Sequence, residues 1–237
     1  MSRAPQRGPS IRARLAFGLI ALLAESAARA DDDPLAGARQ LFVLASAATE
    51  TGMPLPNAAD PDALRDYPLY PYLQRARLAR ALRGASPGPT AVDDEVRAFL
   101  DAHAGEPVAA ELRGAWLSSL AAREEWQTLA ERFEPSVADP TLRCHSARAQ
   151  IALAAPGAKA AATDLWLTPQ RLPPECEPVF EWLRTSKGLT DELVERRARA
   201  LLENEQWSFA RTIANRLPPE RGAIAPMGRP ARAAGPV

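Results

Sequence analysis

The sequence predicts an all-α protein, folded as an α-solenoid (superhelix) of antiparallel helical hairpins. Apolar residues recur at helical spacing in stretches of about ten to fifteen residues, which favours helices. No stretch shows the sustained alternation with Val, Ile and Thr that is typical of a strand. The 23 prolines fall largely between the apolar stretches. Because proline lacks an N–H and clashes with the preceding turn, these positions indicate the boundaries of many short helices.

The individual helices are predicted from their apolar stripes and boundary residues. Asp33 is expected to cap the first helix, with Pro34 at its first position, and this helix ends near Gly52. A proline-rich loop follows through Pro61, and the next helix covers 70–83. The later helices are predicted over 93–100, 108–121, 124–133, 142–153, 158–166, 179–185, 191–202 and 206–217.

Two of the predicted hairpins share a sequence pattern. Residues 120–126 align with residues 201–207, so that Trp126 corresponds to Trp207. In each hairpin a helix ends, a short polar turn follows, and Trp opens the returning helix. Such units cannot bury a hydrophobic face alone and must stack, which favours a solenoid. A compact helical bundle is the alternative.

Residues 1–30 have the three-part layout of a secretory signal peptide. Four arginines precede an uncharged run over 15–24, and Ala28 and Ala30 are the small residues that a signal peptidase reads. The run is about ten residues, whereas a membrane span needs roughly 20. We therefore expect cleavage after Ala30, export, and no membrane association of the mature chain. An uncleaved amphipathic helix is the alternative.

The charge balance argues against nucleic acid as a partner. Lys and Arg together number 29, and so do Asp and Glu, whereas phosphate binding needs a clustered positive excess. Glu192, Glu195, Arg196 and Arg199 lie at helical spacing, which predicts a solvated helix face.

A string with two Tyr-Pro steps precedes and opens the helix predicted over 70–83. Its members are Asp66, Tyr67, Pro68, Leu69, Tyr70, Pro71 and Tyr72. Each residue before a proline is pushed towards an extended conformation. The tyrosine rings can cover neighbouring helices while their hydroxyls reach water or backbone. The string is therefore predicted to form a rigid corner that packs two hairpins.

This string resembles a segment of the N-terminal superhelical domain of soluble lytic murein transglycosylases, periplasmic enzymes that cleave the glycan strand of peptidoglycan. The hairpin at 121–126, the step Leu-Trp-Leu-Thr at 165–168, and Cys176 with Phe180 four residues later recur in that family in the same order. The resemblance implies a partial U-shaped superhelical domain over 31–219, a periplasmic location, and glycan strands of peptidoglycan as a partner. It also makes a glycan platform the second role for the Tyr-Pro string.

The catalytic motifs of that family are not found in this sequence. The family acts through one glutamate as general acid and then base, in a Glu-Ser pair followed by G-L-M-Q and A-Y-N-A-G. This sequence contains neither motif, and its Glu-Ser pair, Glu25-Ser26, lies in the predicted leader. We therefore assign no catalytic residue, no cofactor and no metal. His103 and His145 are isolated and are predicted to be surface or helix-end residues.

The two cysteines predict one disulfide, between Cys144 and Cys176, because the chain is expected to be exported. The family resemblance implies the same pairing. A metal site that includes His145 is the alternative, but these three residues fall short of four ligands.

Residues 220–237 consist mainly of Gly, Ala, Pro and Arg without helical periodicity. This segment is interpreted as the aberrant end of an interrupted coding sequence or as a disordered linker. The expected function is that of the N-terminal superhelical part of a lytic transglycosylase, truncated and non-catalytic by itself. The open end of the solenoid, at 191–217, is expected to fray or self-associate. The alternative is a stand-alone periplasmic helical-repeat adaptor for protein partners.

Overall fold

The computed structural model describes residues 33–52, 60–135 and 139–219, and over these residues it contains helices and no strand. The α-helices, numbered in chain order, are α1 (Ala36–Thr51), α2 (Asp62–Arg65), α3 (Tyr70–Arg83), α4 (Ala91–Ala102), α5 (Pro107–Ala122), α6 (Trp126–Arg132), α7 (Pro140–Ala152), α8 (Ala158–Trp166), α9 (Glu177–Thr185), α10 (Asp191–Glu203) and α11 (Trp207–Ala214). A 3-10 helix, Pro174–Cys176, precedes α9. The all-α prediction is confirmed. The predicted signal peptide and the predicted tail lie outside the described residues.

The chain divides into two compact units, with the boundary after Ala76, inside α3. The described part of the first unit contains α1, α2 and the start of α3, which pack around buried Ala45, Leu64 and Leu73. The short helix α2 is not among the predicted elements, because it is a single turn without a periodic pattern. It begins after Pro61, whose extended backbone is suited to the residue that precedes a helix.

In the second unit each helix packs chiefly on its neighbours along the chain. The pairs α4 with α5, α5 with α6, α6 with α7, α7 with α8, α8 with α9, and α10 with α11 are all in contact. One hydrophobic cluster surrounds Trp116 of α5, and a second surrounds Trp166 of α8. This sequential packing is the kind that a superhelical arrangement of hairpins requires.

The two Trp hairpins close with the same backbone turn. Glu124 and Glu205, which occupy equivalent positions in the aligned segments, both have a positive φ, of 61° and 59°. The residue after each of these glutamates donates its N–H to the carbonyl five residues earlier. These hydrogen bonds are Glu125 to Leu120 at 2.9 Å and Gln206 to Leu201 at 2.8 Å. Trp126 then begins α6 and Trp207 begins α11. The sequence repeat is therefore also a structural repeat.

Several helix starts differ from the predictions by one or two residues, and in two of them the predicted boundary residue has another role. Helix α1 begins at Ala36, and Asp33 accepts a hydrogen bond from the Leu35 N–H at 3.0 Å, so this carboxylate closes a turn ahead of the helix. Helix α4 begins before Asp93, because Thr90 is its N-cap and forms a reciprocal capping box with that aspartate.

Within the described ranges, none of the helices combines the length and the apolar character that crossing a membrane would require.

Candidate functional site

The Tyr-Pro string forms a packed turn between α2 and α3 in the first unit. Tyr67 is buried, and its ring centroid lies 5.4 Å from that of Phe42 on α1. The Tyr70 hydroxyl donates to Asp60 Oδ2 at 2.8 Å. Helix α3 begins at Tyr70 and ends at Arg83, as predicted. Tyr70 is therefore helical rather than extended before Pro71, because a proline in the first turn of a helix is tolerated.

Other members of the string face solvent. Leu69 and Tyr72 are 43% and 40% exposed, and the Asp66 side chain borders an open groove of about 600 Å³. Residues of α1 and the turn before it form most of that groove: Pro34, Leu35, Gly37, Ala38, Gln40, Leu41 and Leu44. The groove is lined mainly by apolar side chains. It can hold a ligand, but its described lining brings no acid and base together, so its geometry suits binding rather than bond cleavage.

A basic residue of α1 lies close to this corner. The Arg39 Nη1 lies 2.8 Å from Asp33 Oδ2. A hydrogen bond to the Tyr67 hydroxyl, followed by the hydrogen bond and charge of Asp33, raises the pKa of Arg39. The guanidinium therefore remains charged and helps to hold the Tyr67 hydroxyl in place.

A buried ion pair connects α4 with the end of α5 in the second unit. Arg123 Nη2 lies 2.7 Å from Asp93 Oδ1, and the Trp116 indole Nε1 donates to the same oxygen at 2.7 Å. Burial raises the pKa of Asp93, but hydrogen bonds from Arg123, Trp116 and Thr90 outweigh burial and lower the pKa to about 2. A carboxyl group with this pKa is ionised near neutral pH and cannot act as a general acid. Asp93 therefore stabilises the fold.

The Cys144–Cys176 disulfide is confirmed. Both cysteines are fully buried, and their Cα atoms are 4.9 Å apart. The bond joins α7 to the 3-10 helix that precedes α9, within the hydrophobic cluster around Trp166.

The two histidines occupy different environments. His103 follows the last residue of α4, as predicted for a helix-end residue, and its Nδ1 lies 3.3 Å from Glu106 Oε2. The prediction for His145 was wrong, because this residue lies within α7 and is only 7% exposed. Burial, with a smaller effect of Arg148, lowers the pKa of His145. Among the described residues no group of three or more His, Cys, Asp or Glu is placed to hold a metal ion.

Sequence reasoning missed the buried Asp93–Arg123 pair. It also missed a second cluster of the second unit, built around the buried Arg197 of α10 and the rings of Trp166, Phe180 and Phe209. In the sequence, Arg197 lies in the same charged run as Arg199, which is solvent-exposed and paired with Glu195. Only the helical phase separates the buried arginine from the exposed ones. That phase was the single available signal.

The comparisons with known proteins give one consistent answer. The soluble lytic murein transglycosylase of Salmonella typhimurium is 31% identical to this chain over 169 residues, which are 68% of this chain and 24% of that protein. The solved structure of an inactive mutant of the Pseudomonas aeruginosa lytic transglycosylase Slt is 32% identical, with a TM-score of 0.67. The chain is homologous to part of the soluble lytic murein transglycosylases. No family model matches the chain.

The extent of this homology is partial. The Pseudomonas structure matches 78% of this chain and 30% of its own chain. The 70-kDa soluble lytic transglycosylase of Escherichia coli shares the fold, at 24% identity and a TM-score of 0.64, over 81% of this chain and 30% of its own. The matches thus span only 24% to 30% of the length of these soluble lytic transglycosylases.

Proposed function

We propose that this chain corresponds to the N-terminal superhelical part of a soluble lytic murein transglycosylase and works in the periplasm. In this role it presents a helical surface to the glycan strands of peptidoglycan during cell-wall turnover and does not cleave them itself. The observation that carries the proposal is the homology to the Salmonella enzyme, together with an all-helical fold built from sequential hairpins. The buried disulfide supports an oxidising compartment, because such bonds persist mainly outside the cytoplasm.

The first unit offers the surface that best suits a sugar chain. Tyr72 and Leu69 of the Tyr-Pro string are 40% and 43% exposed, and another member of the string, Asp66, borders the groove of about 600 Å³ that α1 lines. An aromatic side chain with one apolar face and a polar tip can contact both the faces and the hydroxyls of a sugar. Tyr67 packs on Phe42, and the Tyr70 hydroxyl donates a hydrogen bond to Asp60; both contacts hold this surface in place.

The test compares binding and cleavage with the same purified chain. Sedimentation with isolated peptidoglycan should deplete the chain from solution, while incubation with glycan strands should release no fragments. Strand cleavage would overturn the non-catalytic assignment. Failure of the folded chain to sediment would instead favour a periplasmic adaptor for protein partners.

A pair of variants locates the surface. Tyr72→Ala should lower the affinity for peptidoglycan, measured by sedimentation, about tenfold, because truncating an aromatic contact at the centre of an interface costs more than about 1 kcal/mol. Leu153→Ala, at a similarly exposed apolar residue of the second unit, should leave it unchanged. Equal losses in the two variants would remove the Tyr-Pro string from the binding surface.

Export has its own measurement. Mass spectrometry of the protein recovered from the periplasm should give an N-terminus at Asp31. An N-terminus before Leu15 would contradict the predicted cleavage.

A further inference from the structure

A buried arginine without an anionic partner lies where α8, α9, α10 and α11 meet. Arg197 is 2% exposed, and its Cζ lies 4.3 Å from the ring centroid of Trp166, 5.0 Å from that of Phe180 and 5.4 Å from that of Phe209. These four residues are called the aromatic–arginine cluster below. In the described ranges the Arg197 Nε has no hydrogen-bond partner, and no carboxylate forms an ion pair with the guanidinium.

The rings compensate for only part of the cost of burying this charge. Trp166 and Phe180 meet at 85°, so the guanidinium cannot lie flat on both. Cation–π attraction partly replaces hydration, but a buried cation without an anion remains unfavourable. Burial, followed by the positive charge of Arg216, lowers the pKa of Arg197 to about 10 against the opposing effect of Glu177. The charge of Glu177 acts on the guanidinium, but no described carboxylate forms an ion pair with it.

Two exposed arginines share the same rings. The Cζ of Arg171 lies 4.6 Å from the Phe209 centroid, and that of Arg216 lies 5.5 Å from the Trp166 centroid. Phe209 is only partly buried, so its ring extends from the buried Arg197 to the surface at Arg171. Three cations around one group of rings create a positive potential that attracts an anion.

We propose that the aromatic–arginine cluster, with Arg171 and Arg216 at its rim, is a binding site for a carboxylate group. A guanidinium presents a planar fork of N–H donors that matches the two oxygens of a carboxylate. The carboxylate would supply the missing anion to Arg197, and the ring of Phe209 would contact the apolar part of the ligand. The site lies wholly in the second unit and does not depend on the proposed contact with glycan strands.

The test titrates the full chain, labelled with ¹⁵N, with acetyl-trialanine and, in parallel, with acetyl-trialanine amide. The two peptides differ only in the terminal carboxylate. The reporters are the Nε resonance of Arg197 and the indole Nε1 of Trp166, which donates to the Leu193 carbonyl at 3.1 Å. We expect the acid to shift both resonances and the amide to shift neither. Equal shifts with the two peptides would overturn the proposal. A third titration uses inorganic phosphate, and tighter binding of phosphate than of acetyl-trialanine would overturn the assignment to a carboxylate.

Variants connect the affinity to the buried charge. Arg197→Met removes the unpaired cation while keeping an apolar side chain against the rings. It should weaken binding of the acid at least about tenfold, which corresponds to about 1.4 kcal/mol. Arg199→Met, on the exposed face of the same helix, is the matched control and should leave the affinity unchanged.

A surface variant keeps the proposal testable if Arg197→Met fails to fold. Arg216→Gln changes an exposed residue at the rim and should also weaken binding of the acid. Unchanged affinity in Arg216→Gln, and in Arg197→Met where it folds, would overturn the proposal.

Discussion

Replacing Asp93 by Asn should destabilise the second unit far more than removal of a surface charge. The Asp93 and Arg123 side chains are 5% and 4% exposed, and the carboxylate also accepts the indole N–H of Trp116. Asn keeps the size of the side chain but leaves the Arg123 guanidinium buried beside a neutral amide. Removing one partner of a buried ion pair costs about 3–5 kcal/mol, so we expect the free energy of unfolding to fall by about 3 kcal/mol or more.

The same pair predicts how that difference depends on pH. In the folded protein the pKa of Asp93 is about 2, compared with an ordinary value of 3.8. Because each unit of pKa difference corresponds to about 1.4 kcal/mol, the ionised carboxylate contributes roughly 2 kcal/mol. The folded pKa is lowered, so this contribution is present above pH 3.8 and is lost as the pH falls through about 2. Asn does not titrate, so the difference in the free energy of unfolding between wild type and variant should narrow over that pH range.

The assay is urea unfolding followed by circular dichroism, at neutral pH and at steps between pH 5 and 2. Glu181→Gln is the matched control, because Glu181 pairs with Arg184 on the surface, where the side chains are 58% and 61% exposed. Such surface pairs contribute about 0–1 kcal/mol. The reasoning would be refuted if Asp93→Asn cost no more than Glu181→Gln. A gap that stays constant with pH would refute the account of the pKa.

Three further predictions concern other buried positions. Replacing Cys144 and Cys176 together by Ala should lower the free energy of unfolding by about 4 kcal/mol in the chain-entropy account, since the bond closes a loop of sequence separation 32. Urea unfolding of the variant measures this loss, and a loss under about 1 kcal/mol would contradict the account. Burial lowers the pKa of His145 from 6.5, so the free energy of unfolding of wild type should fall as the pH drops below 6.5 through the folded pKa. His145→Phe should lack this pH-dependent loss of stability when urea unfolding is measured between pH 7.5 and 5. A Cβ at Gly188 would lie 2.7 Å from Cδ1 of the fully buried Leu183, so Gly188→Ala should cost about 1–3 kcal/mol, and an unchanged thermal midpoint would contradict this clash.

The fold could be predicted largely from the sequence because its signals are local. Apolar periodicity and prolines locate most helices within a few residues, and the Trp126 and Trp207 hairpins were aligned from side chains alone. Both turns depend on a Glu with positive φ, a backbone conformation that residues other than Gly rarely adopt. The sequence gives no separate sign of that backbone state. The alignment was nevertheless right, because the residues around the turn repeat.

The buried charges could not be predicted, because they depend on contacts between helices that sequence spacing does not reveal. Arg123 and Asp93 are separated by 30 residues. The residue aligned with Arg123 in the second hairpin is Asn204, which is exposed, and its side chain donates to the carbonyl of Ala200 in the preceding helix α10. The two hairpins thus repeat their backbone but not their buried ion pair.

The second hairpin instead carries its buried cation in the middle of its first helix, α10, where Arg197 faces the rings contributed by α8, α9 and α11. In the first hairpin the cation is neutralised within the described chain by Asp93, and in the second no described carboxylate pairs with it. Equal burial with unequal neutralisation means that an added anion should stabilise the region around Arg197 and leave the region around Arg123 unaffected. Hydrogen exchange of the α10 and α5 amides, with and without acetyl-trialanine, measures both responses in one experiment. Equal protection of the two helices would show that the peptide acts on the whole fold rather than on one unpaired charge.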